Sequence, residues 1–268
     1  MFKRFIRKII FAYPIYQIYV RFRAWQRDWR YHKVVKANSL PLYAETIAES
    51  LYRDLIAVEL FRELRLNAQW LNATLIPTGG AADYKRLYLL LRVLTELSPG
   101  SVIEFGAGQT TKILSAYKRH SGADVVTIEH DPFWSEQVQQ SLSTSTYQLH
   151  CCPLIEFNSP VFGSYHWYDL SKAGEIGSRK FNVFLIDGPV GAAKWSRVGI
   201  VKAFFDLNAG EWLVIWDDLH RAADLESFAA FIQALRERKL EFGYAIFNGL
   251  KKVGVVYTNA FRAVGHYF

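Results

Sequence analysis

Cysteine is scarce. The 268 residues hold two, Cys151 and Cys152, side by side. Sequence neighbours do not close an ordinary long-range disulfide with each other. The pair also lacks the partner spacing of a zinc site, so the expectation is a reducing, cytoplasmic setting. Long apolar runs are missing too: no stretch reaches the roughly 18–20 uninterrupted apolar residues of a membrane-spanning helix. There is no internal repeat and no low-complexity tract. Acidic residues are nearly absent from positions 1–36, where ten Lys/Arg face Asp28 alone. That arm carries +9 of a chain whose formal net charge is +7, which leaves the rest slightly acidic. Basicity confined to an arm speaks against nucleic-acid binding, which more often spreads basic residues around an active face.

A hydrophobic content of 51% at this length suits one sizeable domain with an appendage. Residues 2–13 read as a basic amphipathic helix. Phe2, Phe5, Ile6, Ile9 and Tyr13 fall on one stripe, with Lys3, Arg4, Arg7 and Lys8 opposite. After Pro14 a second aromatic, basic run passes through Ile15, Tyr19, Phe22, Trp25 and Trp29. Two readings stand level. The arm lies on an anionic inner-membrane surface with its rings at the headgroups, or it packs on this protein or on a second subunit of a homo-oligomer. A secretory signal is not expected, because no small-residue cleavage site follows the apolar run. The expected organisation is an arm over 1–36, a helical cap over 37–80 ended by the breaker Ile76–Gly80, and a main domain over 81–268.

In the main domain Asp83 is placed to cap a helix through Leu97, with Tyr84, Leu87, Leu90, Leu91 and Leu94 inward. Strand candidates then alternate with helix candidates. The strands are Val102–Phe105, Val125–Glu129, Tyr147–Cys151, Phe181–Ile186 and Trp212–Trp216. The helices are Thr110–Arg119, Pro132–Leu142, Lys194–Leu207 and Ala222–Arg238. Such alternation implies a doubly wound α/β fold, a mostly parallel sheet with helices on both faces. Phe242–Phe247 and Lys252–Tyr257, joined by Asn248-Gly249, imply a closing antiparallel hairpin.

The segment Ser101–Thr111 reads strand, glycine turn, helix start. Gly106-Ala107-Gly108 permits backbone conformations and ligand approach that a β-carbon would obstruct. Glu129 ends the second strand, where an acid can accept hydrogen bonds from both hydroxyls of a ribose; the plain alternative is an exposed strand-end acid. Asp187 follows the fourth strand, and Asp217-Asp218 follow the fifth, with His220 close behind. Carboxyl ends of adjacent strands converge on one crevice. These groups can hold a divalent cation or move protons. The competing reading is local: Asp218 capping the next helix, and Asp187 starting the turn at Gly188-Pro189. His220 stays open as base, ligand or structural group. Tyr165, His166, Trp167 and Tyr168 lie in an expected loop over 156–177, either stacking on a sugar face or packing the core.

With these residues in view, 101–257 resembles a class I S-adenosylmethionine-dependent methyltransferase. Glu104–Gly108 is similar to that family's first motif, Ile128–Pro132 to the segment bearing the ribose acid, and the final hairpin to its reversed last strand. The resemblance implies cofactor contacts at Glu104, Gly106, Ala107, Gly108, Thr110, Glu129, His130, Pro153 and Leu154. Thr111 occupies the third position of the dinucleotide fingerprint G-x-G-x-x-G. That departure disfavours an NAD-type oxidoreductase and suits a ligand without phosphate. Asp187, Asp217 and Asp218 resemble the metal ligands of catechol-type O-methyltransferases, which have Asn where Asp218 stands; the implied ion is Mg or similar. His130–Trp134, Ile186–Gly191 and Asp217–Arg221 also resemble polysaccharide-biosynthesis methyltransferases. The implied activity is O-methylation of a sugar, glycan or small hydroxylated acceptor, with deprotonation assisted by a metal on Asp187, Asp217 and Asp218 or by a base such as His220; Asp187, Asp217 and His220 are the candidate catalytic residues. A non-catalytic scaffold with this fold, docked by its basic arm, is the alternative from another class.

Overall fold

The computed structural model describes residues 33, 36–37, 47–77, 82–142, 147–190 and 193–268. The arm expected over 1–36 falls almost wholly outside the described residues. Among the described residues of the segment expected as a cap lies a long helix, α1 (Ile47–Asn67).

The main domain is a seven-stranded sheet with helices on both faces. In chain order it runs α2 (Tyr84–Glu96), β1 (Ser101–Phe105), α3 (Gln109–Ser121), β2 (Asp124–Glu129), α4 (Pro132–Ser141) and β3 (Gln148–Cys151). An inserted hairpin, β4 (Leu154–Ser159) and β5 (Gly163–Tyr168), is followed by a 3-10 segment, Leu170–Ser178. Then come β6 (Phe181–Ile186), α5 (Ile200–Leu207), β7 (Asn208–Trp216), α6 (Ala222–Glu237), β8 (Gly243–Phe247) and β9 (Val253–Tyr257). The sheet order is β3-β2-β1-β6-β7-β9-β8. The pairs among β3, β2, β1, β6 and β7 are parallel, and β9 runs antiparallel to both β7 and β8. This is the Rossmann-like arrangement expected from the alternation. All five residues of β1 are buried, as a parallel strand covered on both faces requires. Helices α2 and α3 pack on one face with Leu87, Leu90, Ile113 and Leu114. Helices α5 and α6 pack on the other with Phe204, Phe228 and Phe231.

Register decides where the site falls. Phe105 pairs with Ile128 and with Ile186, and Ile186 pairs with Trp216. These four residues form one row across the sheet. The residues that follow them are Gly106, Glu129, Asp187 and Asp217, so the candidate groups leave the sheet side by side. Strand order reverses between β1 and β6, and ligands of open α/β sheets bind outside the carboxyl ends at such a point.

Two expectations need correction. The segment 156–177 is not a loop: β4 and β5 pair in register from Leu154↔Tyr168 to Ser159↔Gly163. Trp167 and Tyr168 are buried, with rings 5.2 Å and 5.7 Å from that of Phe105, so these two pack the core. The helix expected from Lys194 begins only at Ile200. Trp195 has φ of +64°, which breaks helical geometry, and the backbone at Gly199 lies against the Trp167 ring, where a β-carbon would come within 2.2 Å.

Candidate functional site

The glycine turn is built by contact with its neighbour. Gly106 has φ of +94°, and a β-carbon there would lie 2.7 Å from the Gly188 nitrogen. Gly188 is constrained in return: a β-carbon would come within 2.1 Å of the Tyr168 hydroxyl and 2.9 Å of Gly106 Cα. Gly108 differs, because it is extended at φ 175° and its β-carbon would meet nothing within 4 Å. The open side of the turn is at Gly108, and the packed side is at Gly106.

The N–H groups of this turn are already committed. Gly106 N donates to Ile128 O at 2.8 Å. Ala107 N donates to Glu129 Oε2 at 2.8 Å, and Gly108 N to Thr111 Oγ1 at 2.8 Å. Thr111 passes its own proton to Glu104 Oε2 at 2.6 Å. Thr127 donates to the same carboxylate at 2.8 Å, and Thr110 donates to its other oxygen. Glu104 is fully buried and Thr110 nearly so. Both therefore stand beneath the turn and support it, with no exposed surface for a ligand. Burial pushes the Glu104 carboxyl above its ordinary range, against the opposing pull of the three hydroxyls.

Glu129 closes β2 beside the turn. Its Oε1 accepts from His130 N at 2.7 Å and Asp131 N at 2.9 Å, and lies 2.8 Å from His130 Nδ1. Burial pushes this carboxyl up. The His130 ring and the N–H groups of Asp131, Ala107 and His130 outweigh that push, and its pKa is lowered. His130 is raised, first by the Glu129 carboxylate. Trp134, in the first turn of α4, donates its indole N–H to Ala107 O at 2.8 Å. Cys152 N donates to Glu129 O at 2.7 Å, which brings Pro153 (exposed) and Leu154 (half-buried) next to the same strand end.

The other half of the site is ionic. Potential ligand atoms of Asp187, Asp217 and Asp218 lie within 4.8 Å of one another. His220, half-buried in the turn after β7, is not in that group. Two buried arginines that sequence reasoning missed are interleaved with these carboxylates. Arg86 Nη1 lies 2.5 Å from Asp187 Oδ2 and 2.9 Å from Asp217 Oδ2. Arg197 Nη2 lies 3.3 Å from Asp218 Oδ2 and 3.7 Å from Asp187 Oδ1, and it donates to Asp187 O. Arg197 Nη1 donates to Asp217 O at 3.1 Å, and its Nε pairs with Asp224 at 3.0 Å. Arg221 closes the set, 2.6 Å from both Asp218 and Asp224. For Asp217, burial raises the pKa, Arg86 and Lys251 lower it more, and the net direction is down. Its side chain is 2% exposed, whereas that of Asp187 is 22% exposed. Asp187 is the one carboxylate of the pair that is partly exposed.

The expected cation ligands thus converge, but their oxygens are taken by guanidinium groups, and the donor set does not fit a divalent ion. Arg86 was legible in part. It precedes Leu90 by four residues on the inward stripe of α2, and a cation on an apolar stripe needs a buried partner. Nothing in the sequence marks Arg197. Tyr168 is not placed as a sugar platform. Its hydroxyl is instead pressed on Gly188 and has no hydrogen-bond partner among the described residues.

Fold and site together define an α/β protein whose candidate groups gather at the switch point of a doubly wound sheet. No protein-family model and no curated protein matches the chain. Among solved structures it is similar to a methyltransferase from Pyrococcus furiosus, at 16% identity and a TM-score of 0.46, over 77% of this chain and 94% of that one. It is also similar to the Podospora anserina methyltransferase PaMTH1, solved with SAH, at 12% identity and a TM-score of 0.45, over 82% and 100%. Likeness at that level decides nothing about chemistry, which rests on the residues above.

The two glycines should behave differently. Gly106→Ala forces a β-carbon into Gly188 at positive φ and should cost about 2–4 kcal/mol in chemical denaturation. Gly108→Ala should stay within about 0.5 kcal/mol. Equal costs would contradict the geometry.

Glu129 should shape the acid limb of stability. Its folded pKa is lowered, so its contribution is full above the unfolded value of about 4.3 and fades as pH falls through the folded value. Melting temperatures between pH 7 and pH 3 should fall less steeply in Glu129→Gln than in the native chain. Parallel curves would show that the carboxylate is not held as described.

Proposed function

We propose that the chain is an S-adenosylmethionine-dependent methyltransferase acting on a hydroxyl of a sugar, glycan or similar small acceptor. The observation that carries this reading is the commitment of the turn's N–H groups. A pyrophosphate at a glycine turn needs free backbone donors at the helix start. Here Ala107 N and Gly108 N are spent on Glu129 and Thr111, while Gly108 leaves open space beside an acid at the end of β2. That combination favours a nucleoside without phosphate over NAD. The motif resemblance of Glu104–Gly108 and Ile128–Pro132 names the nucleoside, and the resemblance to polysaccharide-biosynthesis methyltransferases names the acceptor class.

When bound, S-adenosylmethionine supplies an electrophilic methyl group on a sulfonium. Glu129 Oε2, which accepts from Ala107 N, keeps a lone pair for a ribose hydroxyl. Gly108 admits the ligand's approach, and Pro153 and Leu154 stand where the base would lie. Asp187, partly exposed beside Gly188, would take the proton of the acceptor hydroxyl. His220 is the second candidate for that proton. Asp217, buried on Arg86, is a positioning group. Positioning of the acceptor hydroxyl by these residues would supply much of the remaining acceleration.

Calorimetry with S-adenosylmethionine, its demethylated product SAH and NAD tests the reading. SAH should bind and NAD should not, and Glu129→Ala should weaken SAH at least roughly tenfold, the loss of one charge-assisted hydrogen-bonding group. Asp187→Asn should keep SAH affinity and lose about 10²–10⁴ in methyl transfer. Binding of NAD alone would favour the oxidoreductase. Undiminished biological function in Asp187→Asn and Asp217→Asn would favour the scaffold.

In the same reading the arm over 1–36 holds the enzyme at an anionic membrane surface, supported by its +9 charge and its Trp and Tyr residues. The full chain should float with phosphatidylglycerol vesicles and not with phosphatidylcholine vesicles, and removal of 1–36 should abolish flotation. Equal flotation of both forms would assign the arm to protein packing.

A further inference from the structure

The carboxylates of Asp187, Asp217 and Asp218 are close enough to share one ion. A divalent cation would need their oxygens at about 2.0–2.6 Å. The place from which an ion would reach both Asp187 Oδ2 and Asp217 Oδ2 is already held. Arg86 Nη1 bridges those two oxygens at 2.5 Å and 2.9 Å. The third carboxylate is held from the other side, with Asp218 Oδ2 on Arg197 and Arg221. Asp217 Oδ1 accepts from Asp218 N at 2.8 Å, which leaves that carboxylate little to offer.

The two arginines are not placed to give way. Arg86 is fully buried and Arg197 is 1% exposed. An arginine does not shed its charge at any working pH, so neither can leave as a neutral group. Arg86 is also held by little else: its Nε and Nη2 have no hydrogen-bond partner among the described residues. Its polar contacts are the carboxylates themselves.

We propose that Arg86, seconded by Arg197, stands where a divalent cation would, so that the native carboxylate cluster takes no metal and becomes a cation site only when Arg86 is removed. Arg86 is then a positioning residue. It reaches the strand ends from α2, outside every motif that marks the crevice, and it sets the aim of Asp187 from beneath. The inference does not rest on methyl transfer, since it concerns metal affinity alone.

Manganese is the probe, because it is visible by electron paramagnetic resonance as well as by calorimetry. The native chain should bind no Mn²⁺ at millimolar concentration, and its melting temperature should be the same with Mn²⁺ and with EDTA. Arg86→Ala should bind one Mn²⁺ per chain. At a hundredfold excess over the dissociation constant its melting temperature should rise by roughly 5–10 °C. Adding Asp217→Asn to that variant should abolish both effects. A native chain that binds one Mn²⁺, with binding lost in Asp217→Asn, overturns the proposal. So does a folded Arg86→Ala that binds none. If Arg86→Ala folds only with Mn²⁺, the proposal is supported. If it folds in neither condition, the native measurement decides by itself. SAH calorimetry on the same native sample separates this outcome from that of the methyltransferase reading.

Discussion

The backbone contact between Gly106 and Gly188 is the constraint on which the site depends. Asp187 N and Gly188 N both donate to Phe105 O, at 2.9 Å and 2.8 Å, while Gly106 N reaches across to Ile128 O. Three strand ends are tied at one point, where the sheet's order reverses. Two glycines are needed because the two turns approach more closely than any β-carbon allows. Once they touch, the next residues of β1, β2, β6 and β7 have no freedom to diverge. Glu129 falls on one side of the contact and Asp187 with Asp217 on the other. A ligand lying over the contact meets both.

The two sides are electrostatically unlike. On the Glu129 side one carboxylate is held by backbone N–H groups and a histidine, an arrangement that stabilises charge with fixed dipoles. On the Asp187 side four carboxylates and three guanidinium groups are packed together, most of them shielded from water. Buried ion pairs of this kind are poor contributors to net stability, because desolvation offsets attraction. Their effect is geometric. Arginine presents a planar fork that fixes the carboxylates meeting it, which a lysine or a hydrated ion would do less rigidly. The Asp187 side is therefore held in one arrangement even though its charges are close.

Strand and helix alternation was legible because buried parallel strands are short continuous apolar runs, and β6 falls where its run lies. The reversed last strand was legible from Asn248-Gly249. The β4–β5 hairpin was not, since its turn, Pro160-Val161-Phe162, carries no Asn-Gly-type signal and the tract reads as an aromatic loop. Gly106 and Glu129 could be named from the strand-turn-helix pattern. The burial of Glu104 under the turn could not, because it depends on three threonines, of which Thr127 comes from a different strand. The carboxylates were visible at the strand ends. Their pairing with counter-ions was not, because Arg86, marked only as a cation on an apolar stripe, lies in a helix before the first strand, and Arg197 lies in an irregular segment whose shape follows from Trp195. Pairing across 131 residues leaves no local trace.

Thr111 carries much of the proposed choice of ligand. In a dinucleotide fold the third glycine brings helix and strand together and leaves the first helical N–H groups facing a phosphate. Here the Thr111 hydroxyl accepts the Gly108 N–H and hands its proton to Glu104 beneath. Glu104 is acidic, buried and supplied with three hydroxyl donors, so it holds Thr111 in the orientation that keeps Gly108 N occupied. A phosphate seated on Gly108 N would have to break that chain and would face a carboxylate one layer below. A neutral ribose edge or a cationic sulfonium meets neither obstacle. In the proposed reading, the preference for a phosphate-free nucleoside would rest on the support of the turn as much as on its open face.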